Sequence, residues 1–332
     1  MSNESIIIGL MGDVMIGRTV DKVLTQKGCA WAWGNMLPML QQTDFNLANL
    51  ETALTRCEEK VWKTFNFKAS PDKVEALELA NIRVVNLANN HVLDFTEAGL
   101  RETIDTLNEA GIQHTGAGFN GRAAAQPVVV KIKGTTIGII GYTDNERDWK
   151  AAKKKAGVNF IDVMDPDDRK KVLEQVKTVK ESIDVLIISL HWGPNMRAHP
   201  PKYFIRFAHE LVDAGVDVIH GHSAHNFQGM EVYREKLICY DTGDFIDDYV
   251  VDPELRNDHS FFFRLQFSNQ LLESVVLVPV LISDYQVNLA TGDEYAWSMK
   301  RMQALSLPFH TTISNDGVVD LQHARSKPIY VT

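Results

Sequence analysis

The sequence predicts a layered α/β fold built on a mixed sheet, and two patterns carry that expectation. Over its first two-thirds the chain alternates short apolar runs with amphipathic stretches, and beyond residue 225 it becomes strand-rich. Strands alternating with helices and then following one another directly are the pattern of a layered α/β architecture. There is no internal repeat, low-complexity tract or linker, so residues 1–332 read as a single domain, which is within reach of one large core.

The elements follow in order. Ile6–Met11 is a buried strand, a helix lies near Thr19–Lys27, and Phe45–Leu50 is the next strand. Phe65–Phe67 reads as a short strand ended by Lys68. Ser70-Pro71 opens a helix to about Ala80, since Ser caps well and Pro is tolerated at the first helical position. Arg83–Ala88 is a strand, and Thr96 caps a helix through about Ala110 that Gly111 stops. Val128–Ile132 and Thr136–Tyr142 form a hairpin turning at Lys133-Gly134. Asp167–Glu181 is helical, Val185–Leu190 is a β-branched strand, Pro201–Ala214 is helical and Val216–His220 is a strand. Gly229–Tyr233, Lys236–Tyr240, Ser260–Phe267 and Glu273–Leu281 are strands, and a last helix spans about Asp293–Leu305.

Composition narrows the function. The formal charge is −9, and an acidic surface argues against nucleic acid, whose phosphates need clustered Lys and Arg. The Lys-rich stretch from Lys150 to Lys155 is interspersed with Ala and reads as a solvated face. The three cysteines, Cys29, Cys57 and Cys239, include no CxxC pair, so neither a disulfide framework nor a thiolate zinc site is expected. The start, MSNESIIIGLMGDVM, has no basic region before its apolar run and reads as a strand. No stretch approaches the ~20 apolar residues of a membrane span. A cytoplasmic protein without an integral membrane segment is the expectation.

Five strands end in polar residues able to bind metal. IIIGLMG leads to Asp13, FNLANL to Glu51, RVVNLA to Asn89-Asn90-His91, VLIISL to His191, and VDVIHG to His222 with His225 three residues on. Ligands of α/β sheets bind at the carboxyl ends of strands, so these distant residues can meet. Gly12, Gly17, Gly193, Gly221 and Ser223 flank them and let backbone come close. A mixed nitrogen and oxygen donor set without thiolate suits Mn, Fe, Zn, Co or Ni. A carboxylate between two such ions can bridge them, and a metal pair about 3.5–4 Å apart activates water and clamps a phosphoryl oxygen.

The segments GDVMIGR (12–18), NLANLE (46–51), NLANNH (86–91), HWG (191–193) and GHSAHNFQG (221–229), with YDTGDF (240–245) and LVPVLI (277–282), resemble the ordered motifs of the CapA family. That family is named for capsule poly-γ-glutamate synthesis, and it is similar in turn to the calcineurin-like metallophosphoesterases. The resemblance implies a four-layer α/β/β/α sandwich and one or two divalent ions. It implies that Asp13 binds the first ion, Glu51 bridges, Asn90 and His191 bind the second, and His222 and His225 match the GHxH histidines. His91 would be the imidazole that protonates or steadies the leaving group. The chain departs from the wider pattern at Met15, which stands where Asp-x-His has its imidazole, at Glu51 in place of Asp, and in the stretched His222-Ser223-Ala224-His225. Asp244, where relatives carry Asn, can add a carboxylate beside the site.

Arg18 and Lys68 are the candidate contacts for an anionic substrate, a phosphoester or a polyglutamate chain. Trp192 either walls the pocket or packs in the core, Asp144 is a weaker candidate, and His220 reads as structural. His199, His209, His259, His310 and His323 receive no role. The GxGxxG at residues 116–121 lies a third of the way in, with Pro127 close behind, so it reads as a glycine-rich turn and not a dinucleotide fingerprint. Two functions fit the whole: metal-dependent hydrolysis of a phosphoester or related bond, or a metal-ordered accessory role in making or exporting polyglutamate.

Overall fold

A computed structural model describes residues 4–322 and has a mixed α/β fold; His323 lies outside the described residues. Two sheets carry it. The larger, of eight strands, runs Gln286–Leu289, Leu271–Ser283, His259–Ser268, Ile6–Val14, Phe45–Leu50, Ile82–Asn86 and Gln113–Thr115, with Asp244–Ile246 also paired to Ile6–Val14. The six-stranded sheet runs Met230–Tyr233, Lys236–Cys239, Val218–His222, Val185–His191, Thr135–Thr143 and Val128–Ile132.

The smaller sheet is parallel at its centre and antiparallel at both edges, whereas the larger is parallel from Ile6–Val14 to its edge Gln113–Thr115 and antiparallel on the other side. Ile6–Val14, Phe45–Leu50 and Ile82–Asn86 run parallel, as do Thr135–Thr143, Val185–His191 and Val218–His222. The apolar runs read in the sequence are these central strands. They are buried on both faces, which is why they lack alternation.

Three apolar clusters fill the molecule. One joins Ile8, Leu10 and Leu47 of the larger sheet to Ile137, Ile187 and Val218 of the smaller, so the sheets face each other. A second packs the outer side of the larger sheet, through Met11, Ala48 and Val85, against Val20, Leu100 and Ile104 of the helices Arg18–Lys27 and Thr96–Glu109. The third packs Ile140, Leu186 and Ile219 under Val172, Val176, Phe207 and Leu211 of the helices Pro166–Lys180 and Lys202–Ala214.

Some elements differ from expectation for identifiable reasons. Phe65–Phe67 is not a strand: the Phe67 N–H donates to the Asp94 carboxylate at 2.7 Å instead of to a ladder, and the short strand is Lys68–Ala69. The helix expected from Pro71 splits into a tight turn, Pro71–Lys73, and Val74–Leu79. Thr96 lies inside its helix at φ 61°, with Phe95 at the cap. The strand expected at Val216–His220 starts two residues later and runs to His222, because the Val216 N–H is still bonded to Leu211 of the preceding helix. Asp244–Ile246 is too short and too polar at its start to show as a strand in sequence.

Candidate metal centre

The strand registers bring the polar ends together. Asp13 pairs with Asn49 on one side and with Asp244 on the other. In the facing sheet, His191 pairs with His222. The segment between Tyr240 and Gly243 is held tightly. A Cβ on Gly12 would lie 1.7 Å from the Gly243 carbonyl oxygen, and one on Gly221 would lie 2.1 Å from that of Tyr240. Only bare backbone at both places lets this segment pass and deliver Asp244.

Two groups of donors result, and Asp13 belongs to both. One is Asp13, His191 and His222; the other is Asp13, Glu51, His225 and Asp244, and every member is buried. The Asp13 Oδ1 lies 3.4 Å from His222 Nδ1 and 3.8 Å from His191 Nδ1, while Oδ2 lies 3.7 Å from His225 Nδ1. His191 Nδ1 and His222 Nδ1 are 3.0 Å apart. Donors bonded to one ion at about 2.0–2.2 Å stand roughly 3–3.5 Å from each other, so these spacings suit a shared cation.

The orphaned acceptors make the same argument. Both carboxylate oxygens of Glu51 and the Oδ2 of Asp244 are buried with no hydrogen-bond partner among the described residues. A buried charge without compensation costs several kcal/mol, and a divalent cation would supply that compensation. Burial raises the Glu51 carboxyl well above its usual range, with the charges of Asp13 and Asp244 adding to it. Burial likewise raises Asp244, helped by Asp247 and Asp13. Burial alone would raise Asp13 too, but the hydrogen bond and charge of His191, with His222 and His225, hold it below the carboxylate range.

Neighbouring side chains aim the donors. The Ser189 hydroxyl lies 2.9 Å from His222 Nε2, which leaves Nδ1 for the centre. His220 is a core histidine between Ser189 and the Met11 carbonyl, 2.7 Å away. His225 stands at φ 59° and Ser223 at φ 112°, strained positions for side-chain-bearing residues. That turn is held by the Ala224 N–H donating to Asp241 at 2.8 Å, the Ser223 N–H donating to Asp13 at 3.2 Å, and His225 Nδ1 lying 2.9 Å from Asp244.

The other expected residues fall in different places. Asn90 Oδ1 lies 3.0 Å from His191 Nε2 and so touches the centre through that ring. His91 Nε2 stands 3.6 Å from Glu51, and its Nδ1 is 2.6 Å from Asp94. Burial pushes the His91 imidazole down to about 4, against the pull of Asp94. Arg18 is ion-paired to Asp248 at 2.9 Å and lies over the rings of Phe65 and Phe67. Lys68 is bound to Glu58 at 2.6 Å and to the Cys57 carbonyl. Trp192 is buried against Phe204 and donates to the Tyr240 carbonyl, so in this structure it is a packing residue. Asp144 accepts the Gly193 N–H at 3.1 Å, and burial raises it to about 6. The glycine-rich turn holds a helix of only four residues, Gly121–Ala124.

Asn49, Asp94 and Asp241 went unassigned in the sequence. Asn49 donates to Asp13 Oδ1 at 2.7 Å, and its own carbonyl oxygen accepts from Asn86 and Asn89. Its signal was its place near the end of the strand Phe45–Leu50, two residues before Glu51. Asn49→Ala frees the Asp13 carboxylate, and metal affinity is expected to fall about 10–100-fold with the fold intact, measured by competition against a colorimetric chelator. An unchanged affinity would mean that Asn49 does not orient Asp13.

Carboxylates and imidazoles are buried together at strand ends, with acceptors left open, in positions that could hold a metal ion. The chain belongs to the bacterial capsule synthesis protein PGA_cap family, whose model matches residues 7–249. It is 32% identical to a probable polyglutamine synthesis accessory protein of Mycobacterium tuberculosis, over 92% of each chain. It is 29% identical to the capsule biosynthesis protein CapA of Bacillus anthracis, over 74% of this chain and 61% of that one. The PGA biosynthesis protein CapA of Bacillus subtilis is also 29% identical, over 74% of this chain and 64% of that one. No helix among the described residues is long and apolar enough to cross a membrane.

Proposed function

We propose that this protein is a metal-dependent hydrolase of a phosphoester or related bond, acting on an anionic substrate within polyglutamate capsule metabolism. The observation that carries the reading is Asp13, whose two oxygens face two separate donor groups. That supports a centre in which Asp13 would serve both donor groups, His191 and His222 on one side and Glu51, His225 and Asp244 on the other, where the CapA resemblance implied Glu51 as the shared carboxylate. The layering of two facing sheets between outer helices supports a calcineurin-like sandwich formed by the whole chain as one domain.

Divalent ions held there would lower the pKa of water and offset charge on the reacting oxygens. The chain's own residues do the rest. Asp94 accepts from His91 Nδ1, which fixes the tautomer and leaves Nε2 to hold or pass a proton beside Glu51. Lys63 bonds to Asp94 at 3.0 Å and, with the Phe67 N–H, keeps that carboxylate in place. Phe67 stacks on the His91 ring at 3.7 Å and sets its plane.

Turnover of phosphomonoesters, phosphodiesters and γ-glutamyl amides, with and without chelator, tests this reading. Chelator-sensitive cleavage of at least one class is expected. Asp94→Asn should then lower kcat by about 10²–10⁴-fold with metal content unchanged. Full activity in that variant would remove the His91–Asp94 pair from the chemistry. The relatives' names support a second reading, a non-hydrolytic metal-binding accessory protein. It is favoured if no substrate turns over under any metal while polyglutamate still binds.

A further inference from the structure

We propose that Tyr249 is a substrate-binding residue of the metal centre, its phenol O–H donating a hydrogen bond to a phosphoryl oxygen held there. The inference rests on the hydrolytic reading for the class of anion, and on the placement of this one side chain for the rest.

Tyr249 follows the short strand Asp244–Ile246 and is fixed from several sides. Asp247 Oδ1 accepts the Tyr249 N–H at 2.7 Å. Asp248 grips the opposite wall, accepting from Arg18 Nε at 3.2 Å and from the Thr19 N–H at 3.1 Å. The Tyr249 ring then stands edge to face with the His225 ring, their centroids 4.9 Å apart, and is tilted against Phe67 at 5.9 Å. His225 belongs to the donor set, and Phe67 is the ring stacked on His91. Tyr249 therefore spans the distance from a metal donor to the ring that supports the proton-carrying imidazole.

Its hydroxyl is unspent. An enclosed tyrosine hydroxyl ordinarily finds a partner, yet this phenol makes no hydrogen bond among the described residues, although the ring packs on both sides. Glu51 and Asp244 keep open oxygens, so the phenol is not committed to them. Tyr249 is only partly buried, so it lines an accessible side of the centre and is not sealed in the core. Burial, then the charges of Glu51, Asp244, Asp247 and Asp13, hold its proton well above the ordinary phenol range, so it remains a donor at neutral pH. The nearby cations are already engaged: Arg18 with Asp248 at 2.9 Å, Lys68 with Glu58 at 2.6 Å and Lys63 with Asp94 at 3.0 Å. Among these groups the phenol is the open donor, and O–H donors make short, strong bonds to anionic oxygen.

Calorimetric titration of the full chain, loaded with manganese(II), with inorganic phosphate tests the assignment. Wild type should bind phosphate. Tyr249→Phe keeps the ring against His225 and Phe67 and should bind phosphate at least about tenfold more weakly, with manganese content by elemental analysis unchanged. Wild-type phosphate affinity in Tyr249→Phe, loss of manganese from that variant, or no phosphate binding by the loaded wild type would each overturn the proposal. The hydrolytic reading fails by a different result, absence of turnover across the ester panel, and phosphate binding is read without turnover, so the two failures are told apart.

Discussion

Asp13→Ala is expected to strip both ions from the protein and leave a folded chain. Asp13 is the one side chain common to the two donor groups. It lies at the end of a strand whose ladder with Phe45–Leu50 and His259–Ser268 is made by backbone, and the substitution removes only the side-chain bonds from Asn49 and the Ser223 N–H. Removing it also lowers the crowding of buried negative charge, because its carboxylate is among the causes that raise Glu51, Asp241 and Asp244. Metal content by elemental analysis should fall below about a tenth of wild type, since loss of even an outer partner of a ligand costs about 10–100-fold in affinity. Far-ultraviolet circular dichroism should be unchanged. His191→Ala is the informative contrast, for it touches one group and should leave the ion of Glu51, His225 and Asp244 in place. Retention of a full complement of metal by Asp13→Ala would dismantle the assignment.

The second large effect is the response to chelation. A ligand at a thousand times its Kd stabilises the fold by about 4 kcal/mol, and for a chain of this size that is roughly 6 °C in Tm. Metal-free protein should therefore melt about that much lower near neutral pH. Its pH dependence should also be unusual in sign. Asp241 is pushed from 3.8 to about 8, chiefly by burial and then by Asp13, and Asp247 from 3.8 to about 6, chiefly by burial. Between the ordinary and the raised value the folded state holds a proton that the unfolded chain has lost. Stability must then fall as pH rises through that window. His91 and His220, pushed down to about 4 chiefly by burial, act in the opposite sense between about pH 4 and 6.5, so the loss should show above about pH 6.5. Metal-free protein should lose stability from there to about pH 8, and added metal should reduce that loss by favouring the ionised carboxylates. Melting curves across that range, with and without metal, decide it; a metal-free protein that gains stability toward pH 8 would show that these acids are not buried as described.

Much of this was legible in the sequence, and the limits have physical causes. The central strands were plain because each is a continuous apolar run ending in a polar residue, as in VLIISLH. Those endings located Asp13, Glu51, His191, His222 and His225 near one another before any coordinates. The short strand Asp244–Ile246 escaped notice because a three-residue element carries no period. Pairings also escaped notice. Nothing in one dimension says that Asn49 will lie beside Asp13, or that Asp94 will reach back to His91 and Phe67. Arg18 and Lys68 had the right chemistry for anions, but their neighbours Asp248 and Glu58 claim them in the folded chain.

The passage of Tyr240–Gly243 between Gly12 and Gly221 has a consequence for the order of assembly. A chain emerging from the ribosome presents Asp13, Glu51 and His191 long before Asp244, and its amino-terminal parts fold first. The early strands can pair, yet the cage has an open side until the later segment threads the gap between two bare backbones. Any ion capture would thereby wait on the emergence of Asp244: a chain stopped short of that residue would hold a cation weakly, and one that includes it would close the cage.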